Sequence, residues 1–207
     1  MWQRMNYKVN EIFRSLQGEG GNVGLDAVFV RLSGCNLSCP FCDTIHNDGI
    51  MMESASIATE AKRLYPEGGG WVILTGGEPT IYDLRPLLTD LRGVGFKVAM
   101  ETNGTNSIPA DVQVLLSYVT VSPKRRDLFG VDHWVHEIRV PVGPETTVEE
   151  LVHWYNAVPA RLRFLSPIHE ADSGFALTKT LNLLAEARKR GMEWLLSFQV
   201  HKMAGIR

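Results

Sequence analysis

Cysteine is scarce in this chain and confined: Cys35, Cys39 and Cys42 fall within eight positions, and the rest of the 207-residue sequence has none. An odd, clustered set excludes a disulfide framework, which needs paired thiols. Long apolar runs are missing as well, since no stretch approaches the ~18 consecutive apolar residues of a membrane span. The first twenty residues also lack the apolar core of a signal peptide. Free clustered cysteines without a secretion signal make a reducing cytoplasm the expected location. Charge of one sign is lacking too. The formal net charge is −2, and the densest basic run, Lys124-Arg125-Arg126, is only three residues long. That excludes an electrostatic footprint for nucleic acid or an acidic membrane. Repeats, low-complexity runs and linkers are absent, so residues 1–207 are expected to form a single domain, with an ordinary 44% hydrophobic content.

What is present is organised around Gly34-Cys35-Asn36-Leu37-Ser38-Cys39-Pro40-Phe41-Cys42-Asp43-Thr44. Three thiolates on one short loop suit a metal. Structural zinc wants four protein ligands, and a closed iron–sulfur site wants four cysteines. Three cysteines holding a cubane of four irons leave one iron open to a small molecule. The spacing, with an aromatic residue before the last cysteine, resembles that of the radical S-adenosylmethionine (radical SAM) superfamily. The alternatives at this point are a zinc site completed by His46, or three ordinary reduced thiols.

Along the chain, short β-rich segments alternate with amphipathic ones. Residues Tyr7 to Phe13 read as extended and lead into the loop Ser15-Leu16-Gln17-Gly18-Glu19-Gly20-Gly21. Strands are expected at 27–32, 71–74, 96–100, 118–121, 137–140, 161–165 and 194–200. Helices are expected from Ser54 or Ser56 to Tyr65, through Leu84 to Leu91, over 109–116, from Thr147, and over 176–189. Alternating strands and helices imply a parallel sheet with right-handed crossovers. About seven strands are too few for a closed eight-fold barrel. The fold class expected is α/β, a partial TIM-like barrel with a mainly parallel sheet. Arg31 interrupts an otherwise apolar strand and reads either as snorkelling outward or as charged inside a pocket.

Polar clusters follow the carboxyl ends of these strands: the cysteines, Thr75 to Glu78, Glu101 to Thr105, Ser122 to Lys124, Ser166 to His169, and Gln199 to Lys202. In barrels and open α/β sheets that is the face where ligands bind. Gly76-Gly77-Glu78-Pro79 suits the methionine end of S-adenosylmethionine (SAM), because glycines admit a close backbone approach and a carboxylate can accept from an ammonium. Thr44, at the mouth of the cysteine loop, offers a hydroxyl that can complete the shell of a Mg²⁺, which prefers oxygen ligands.

Taken together, Glu11-Ile12-Phe13, Leu16-Gln17-Gly18-Glu19-Gly20, Gly34-Cys35-Asn36-Leu37, Cys42-Asp43-Thr44, Thr75-Gly76-Gly77-Glu78-Pro79, Glu101-Thr102-Asn103-Gly104-Thr105, Ser122-Pro123-Lys124 and Gln199-Val200-His201-Lys202 resemble the 7-carboxy-7-deazaguanine synthase family. The resemblance spans nearly the whole chain in order. It implies that a 5′-deoxyadenosyl radical takes a hydrogen from C6 of 6-carboxy-5,6,7,8-tetrahydropterin. The ring then contracts, ammonia leaves, and 7-carboxy-7-deazaguanine results, a precursor of 7-deazapurines such as the queuosine of tRNA. It also implies a [4Fe-4S] cluster on Cys35, Cys39 and Cys42, catalytic SAM, Mg²⁺ on Thr44, a homodimer, and an electron donor such as flavodoxin or ferredoxin. Leu16, Gln17, Gly18, Arg31 and Thr75 would contact the pterin; the Arg31 guanidinium is chemically suited to its carboxylate. The carboxylate of Arg207 would reach the pterin's guanidine-like edge. Phe41, Cys42, Asp43, Gly77, Glu78, Ser122, Pro123, Lys124, Ser166, Pro167, Ile168 and His169 would surround SAM. The rival readings are a glycyl-radical activating protein and a non-catalytic metal module built from the cysteines and His46.

Overall fold

The computed structural model describes residues 5–128, 130–131, 133–170 and 174–206. Strands β1 (Asn6–Leu16) and β2 (Asp26–Leu32) pair antiparallel, with Glu11 opposite Arg31 and Phe13 opposite Phe29. Strand β3 (Ile50–Glu53) follows the cysteine loop and adds antiparallel to the outer edge of β1. No strand was expected there, because four residues carry too little periodicity to separate from a loop. Helix α1 (Ser54–Leu64) starts directly from it. Its N-cap position is Glu53, whose side chain makes no capping bond, rather than Ser54 or Ser56. Ser54 is itself buried.

The regular alternation then runs β4 (Trp71–Gly76), α2 (Arg85–Gly93), β5 (Lys97–Thr102), α3 (Ala110–Gln113), β6 (Tyr118–Val121), β7 (Val135–Val142), α4 (Val148–Ala157) and β8 (Ala160–Pro167). Thr147 caps α4 as its position predicts, accepting from the Glu150 amide at 3.3 Å. A small hairpin, β9 (His169–Glu170) with β10 (Gly174–Phe175), precedes α5 (Leu177–Lys189). The strand expected over 194–200 is only β11 (Leu195–Leu196), and the chain turns into the short helix α6 (Val200–Ala204). The polar run Gln199-Val200-His201-Lys202 thus sits at a helix start and not at a strand end.

Among the described residues nine strands form one sheet in the order β3-β1-β2-β4-β5-β6-β7-β8-β11. From β2 to β11 every neighbouring pair is parallel. The two end strands do not meet, so the barrel is open, as expected. Side-chain alternation divides the sheet into two chemistries. Val28, Val30, Leu32, Val72, Leu74, Val98, Met100, Val119 and Val121 join Leu87, Leu88, Leu91, Leu151 and Trp154 of the helices in the main core. The intervening residues face the concave side. Low on that side lie Ala27, Ile73 and Ala99, with Phe29, Trp71 and Tyr118 against them. Higher up, toward the strand carboxyl ends, the same rows become Arg31, Thr75, Glu101 and Thr120. The polar site therefore rests on an apolar floor. No helix among the described residues is long and apolar enough to cross a membrane.

Candidate active site

Two cavities adjoin at the carboxyl ends of the parallel strands. The first, about 230 Å³, is walled by Cys35, Cys39, Cys42 and Phe41 on one side and by Ser122, Lys124, Ser166 and His169 on the other. The second, about 220 Å³, is walled by Leu16, Gln17, Gly18, Arg31 and His201. Asp43, Thr44, Thr75, Glu101, Arg139 and Lys202 belong to both walls.

The cysteine loop leaves β2 and is fastened from two directions. The Gly77 amide donates to Leu32 O at 3.0 Å, and the Glu78 amide to Gly34 O at 2.9 Å. This lays the end of β4 directly across the loop's start. Only glycine fits: Gly76 has φ 134°, and a Cβ there or on Gly77 would fall on the carbonyl oxygens of Leu32 or Gly34. From just beyond β5, Asn103 Nδ2 donates to Asn36 Oδ1 at 3.0 Å, and Asn36 Nδ2 donates to Thr105 Oγ1 at 2.7 Å. Two donors approach Cys35 Sγ, the Leu37 amide at 3.4 Å and Asn103 Nδ2 at 4.0 Å.

Charge is distributed unevenly around the cavities. Burial pushes the Lys124 ammonium below its usual range against the opposing pull of Cys39 and Glu19. It donates to Ser122 Oγ at 2.8 Å and lies 5.8 Å from the centre of the Phe41 ring. Burial pushes the Cys39 thiol up, with Cys42 and Cys35 adding to that and Lys124 opposing it. Burial alone would raise the Glu19 carboxyl, but the Arg139 guanidinium, Gln199 and His201 hold it below the usual range. Asp43 is likewise lowered, burial being outweighed by Lys202 and Gln199.

The comparisons with known proteins agree with this geometry. The family model "Radical SAM superfamily" matches residues 29–160. A 7-carboxy-7-deazaguanine synthase of Bacteroides thetaiotaomicron is 39% identical over 98% of this chain and 100% of its own. One from Haemophilus influenzae is 34% identical over 97% and 94%. The chain belongs to the 7-carboxy-7-deazaguanine synthase family of radical SAM enzymes. The crystal structure of QueE from Escherichia coli superposes with a TM-score of 0.73 at 29% identity, covering 95% of each chain. Neither the glycyl-radical activating reading nor the non-catalytic module is favoured by these relatives.

Membership implies a [4Fe-4S] cluster and SAM, and the donor set fits them. All three cysteines are free thiols on one cavity wall. Among the described residues no three His, Cys, Asp or Glu side chains converge on a single point. A cubane does not ask its thiolates to share one point, because each meets a different iron around a common small volume. The donors beside Cys35 Sγ are of the kind that tune such clusters.

Most residues singled out from the sequence stand on these walls. Gly77, Pro167 and Ile168 complete the first cavity, and Thr75 and Thr44 face both. Arg31 turns into the second cavity, where Glu11 of β1 accepts from its Nε at 2.8 Å. Leu16 lies at the rim, 43% exposed. Two residues depart from expectation. Glu78 is fully buried and lines neither cavity. Its carboxylate accepts from the Thr80 amide at 3.0 Å, Thr80 Oγ1 at 2.6 Å, Thr102 Oγ1 at 2.7 Å and the Asn103 amide at 2.6 Å. It ties β4 to β5 and leaves the glycines before it to form the wall. Pro123 is buried behind Ser122 and Lys124 and lines neither cavity. Arg207 lies outside the described residues. The sequence reading passed over Arg139 and Glu137, which it placed only within a strand, although a Glu-x-Arg pair in an apolar strand puts both charges on one face.

Proposed function

We propose that this enzyme converts 6-carboxy-5,6,7,8-tetrahydropterin to 7-carboxy-7-deazaguanine, with the cluster and SAM over the first cavity and the pterin in the second. The observation carrying this reading is the pair of adjoining cavities: thiols line one, a guanidinium and amide donors line the other, and Thr44 stands on the shared wall. Bound there, the cluster and SAM supply the electron and the hydrogen-abstracting radical. Cys35, Cys39 and Cys42 would hold the cluster. Gly77, Phe41, Asp43, Ser122, Lys124 and the run Ser166 to His169 would surround SAM.

Arg31 receives the pterin carboxylate through its guanidinium fork. Thr75 and Gln17 orient the ring, and the close packing of Gly18 against His201 excludes water at the open side. Thr44 Oγ1 would hold a Mg²⁺, which prefers oxygen ligands and would supply charge to orient the substrate. The pterin gives up a hydrogen at C6, its ring contracts, ammonia departs and a hydrogen is returned, so that substrate and product differ by ammonia alone. Electrons come from a small redox protein such as flavodoxin or ferredoxin, and the enzyme acts as a homodimer.

The test is anaerobic turnover. Enzyme reconstituted with iron and sulfide, given SAM, reductant, Mg²⁺ and the carboxytetrahydropterin, yields 7-carboxy-7-deazaguanine by mass spectrometry. No product from enzyme with an intact cluster overturns the assignment.

A further inference from the structure

The wall shared by the two cavities contains a guanidinium serving several carboxylates at once. Arg139 is 5% exposed. It pairs with Glu137 at 3.0 Å, with Glu101 at 3.3 Å, and at short range with Glu19. Glu137 is fully engaged below the site, where the Tyr118 hydroxyl and the Gly21 amide each donate to it at 2.9 Å. Glu101 is different. It faces both cavities, keeps part of its side chain exposed, and accepts from Gln17 Nε2 at 2.8 Å. Gln17 in turn accepts from the Glu19 amide at 3.1 Å. The β1–β2 loop, β5 and β7 each send a carboxylate to this one guanidinium.

We propose that Arg139 is a positioning residue for the pterin: by gathering Glu19 and Glu101 on one guanidinium, it holds a carboxylate edge that accepts from the N–H donors of the pterin's pyrimidine ring. Three carboxylates this close repel one another and would splay apart without a cation between them. A splayed carboxylate would miss the ring. The planar fork of arginine satisfies several carboxylates in fixed directions, which the point charge of lysine cannot reproduce. Arg139 acts through Glu101 and need not touch the reacting carbon.

The inference rests on the pterin reading, and the experiment separates the two. Reconstituted wild type, Arg139→Gln, Arg139→Lys, Glu101→Gln and the Arg139→Gln/Glu101→Gln double variant are compared for KM and kcat with the pterin, for SAM affinity, and for melting temperature. Arg139→Gln is expected to raise the pterin KM at least tenfold while kcat and SAM affinity change less than threefold, with Arg139→Lys between it and wild type. Added to Glu101→Gln, Arg139→Gln is expected to raise KM less than threefold further, because the two act as a unit. An unchanged KM in Arg139→Gln, a loss of SAM affinity matching the rise in KM, or full additivity in the double variant overturns the positioning role. If Arg139→Gln does not fold, Arg139→Lys with wild-type KM overturns it equally. A wild type that makes no deazaguanine refutes the pterin reading instead.

Discussion

Two acidic residues a short distance apart in sequence, Glu78 and Glu101, show how much a side chain's role depends on which way its strand end turns. Glu78 spends its carboxylate on four internal donors, whereas Glu101 faces both cavities. Glu78→Ala leaves those donors buried without an acceptor, so it is expected to cost on the order of 3 kcal/mol in denaturant unfolding and to loosen the cysteine loop. A variant as stable as wild type would show that water replaces the carboxylate. Cys39→Ala removes one of three thiolates from a site with no fourth cysteine to substitute. It is expected to lose most bound iron after reconstitution and at least 99% of turnover; retained activity would place the cluster elsewhere. The cysteines were legible because ligand spacing on one loop is a local property. The inward turn of Glu78 was not, since its donors Thr102 and Asn103 come from the next strand.

At the level of elements, the contact to watch is that between the chain's end and the Gln17–Gly20 loop. The Val200 amide donates to Gly18 O at 2.9 Å, and the His201 ring lies where a Gly18 side chain would be. Lys202 pairs with Asp43, and Gln199 Nε2 donates to the same carboxylate at 3.3 Å. Gly18→Ala is therefore expected to displace α6, raising the pterin KM at least fivefold with little change in melting temperature, because α6 buries none of its residues. An unchanged KM would mean that α6 takes no part in closing the second cavity. Lys202→Ala should cost under about 1 kcal/mol of stability, as partly exposed ion pairs contribute little, yet quicken proteolytic trimming of the last few residues. Equal trimming rates in wild type and variant would count against the latch. Alternation of strands and helices was readable from apolar periodicity. The edge strand β3 and the helical end were not, because a four-residue strand is recognised only by its partner Asn6–Val9, and α6 is docked by tertiary contacts and too short to form alone.

Across the whole molecule, the open sheet carries its main core on the helix-covered face and a small apolar floor with the charged site above it on the other. That arrangement has a pH signature. Glu19 is held below the usual carboxylate range, burial being outweighed first by Arg139. A carboxyl depressed in the folded state contributes stability above its unfolded value and loses it as pH falls through the folded one. Wild type is thus expected to exceed Glu19→Gln in denaturant midpoint at pH 7, and the gap should narrow progressively below about pH 4.3. A gap independent of pH would remove ionisation of Glu19 from the account. The cysteine loop, the crossover pattern and the polar strand ends follow from residue spacing along the chain, because each is a short-range property that holds wherever the segment packs. The division into two cavities, the inward Glu78 and the convergence of Glu19, Glu101 and Glu137 on Arg139 arise only on folding, because they join side chains as far as 159 residues apart whose meeting depends on strand order and register.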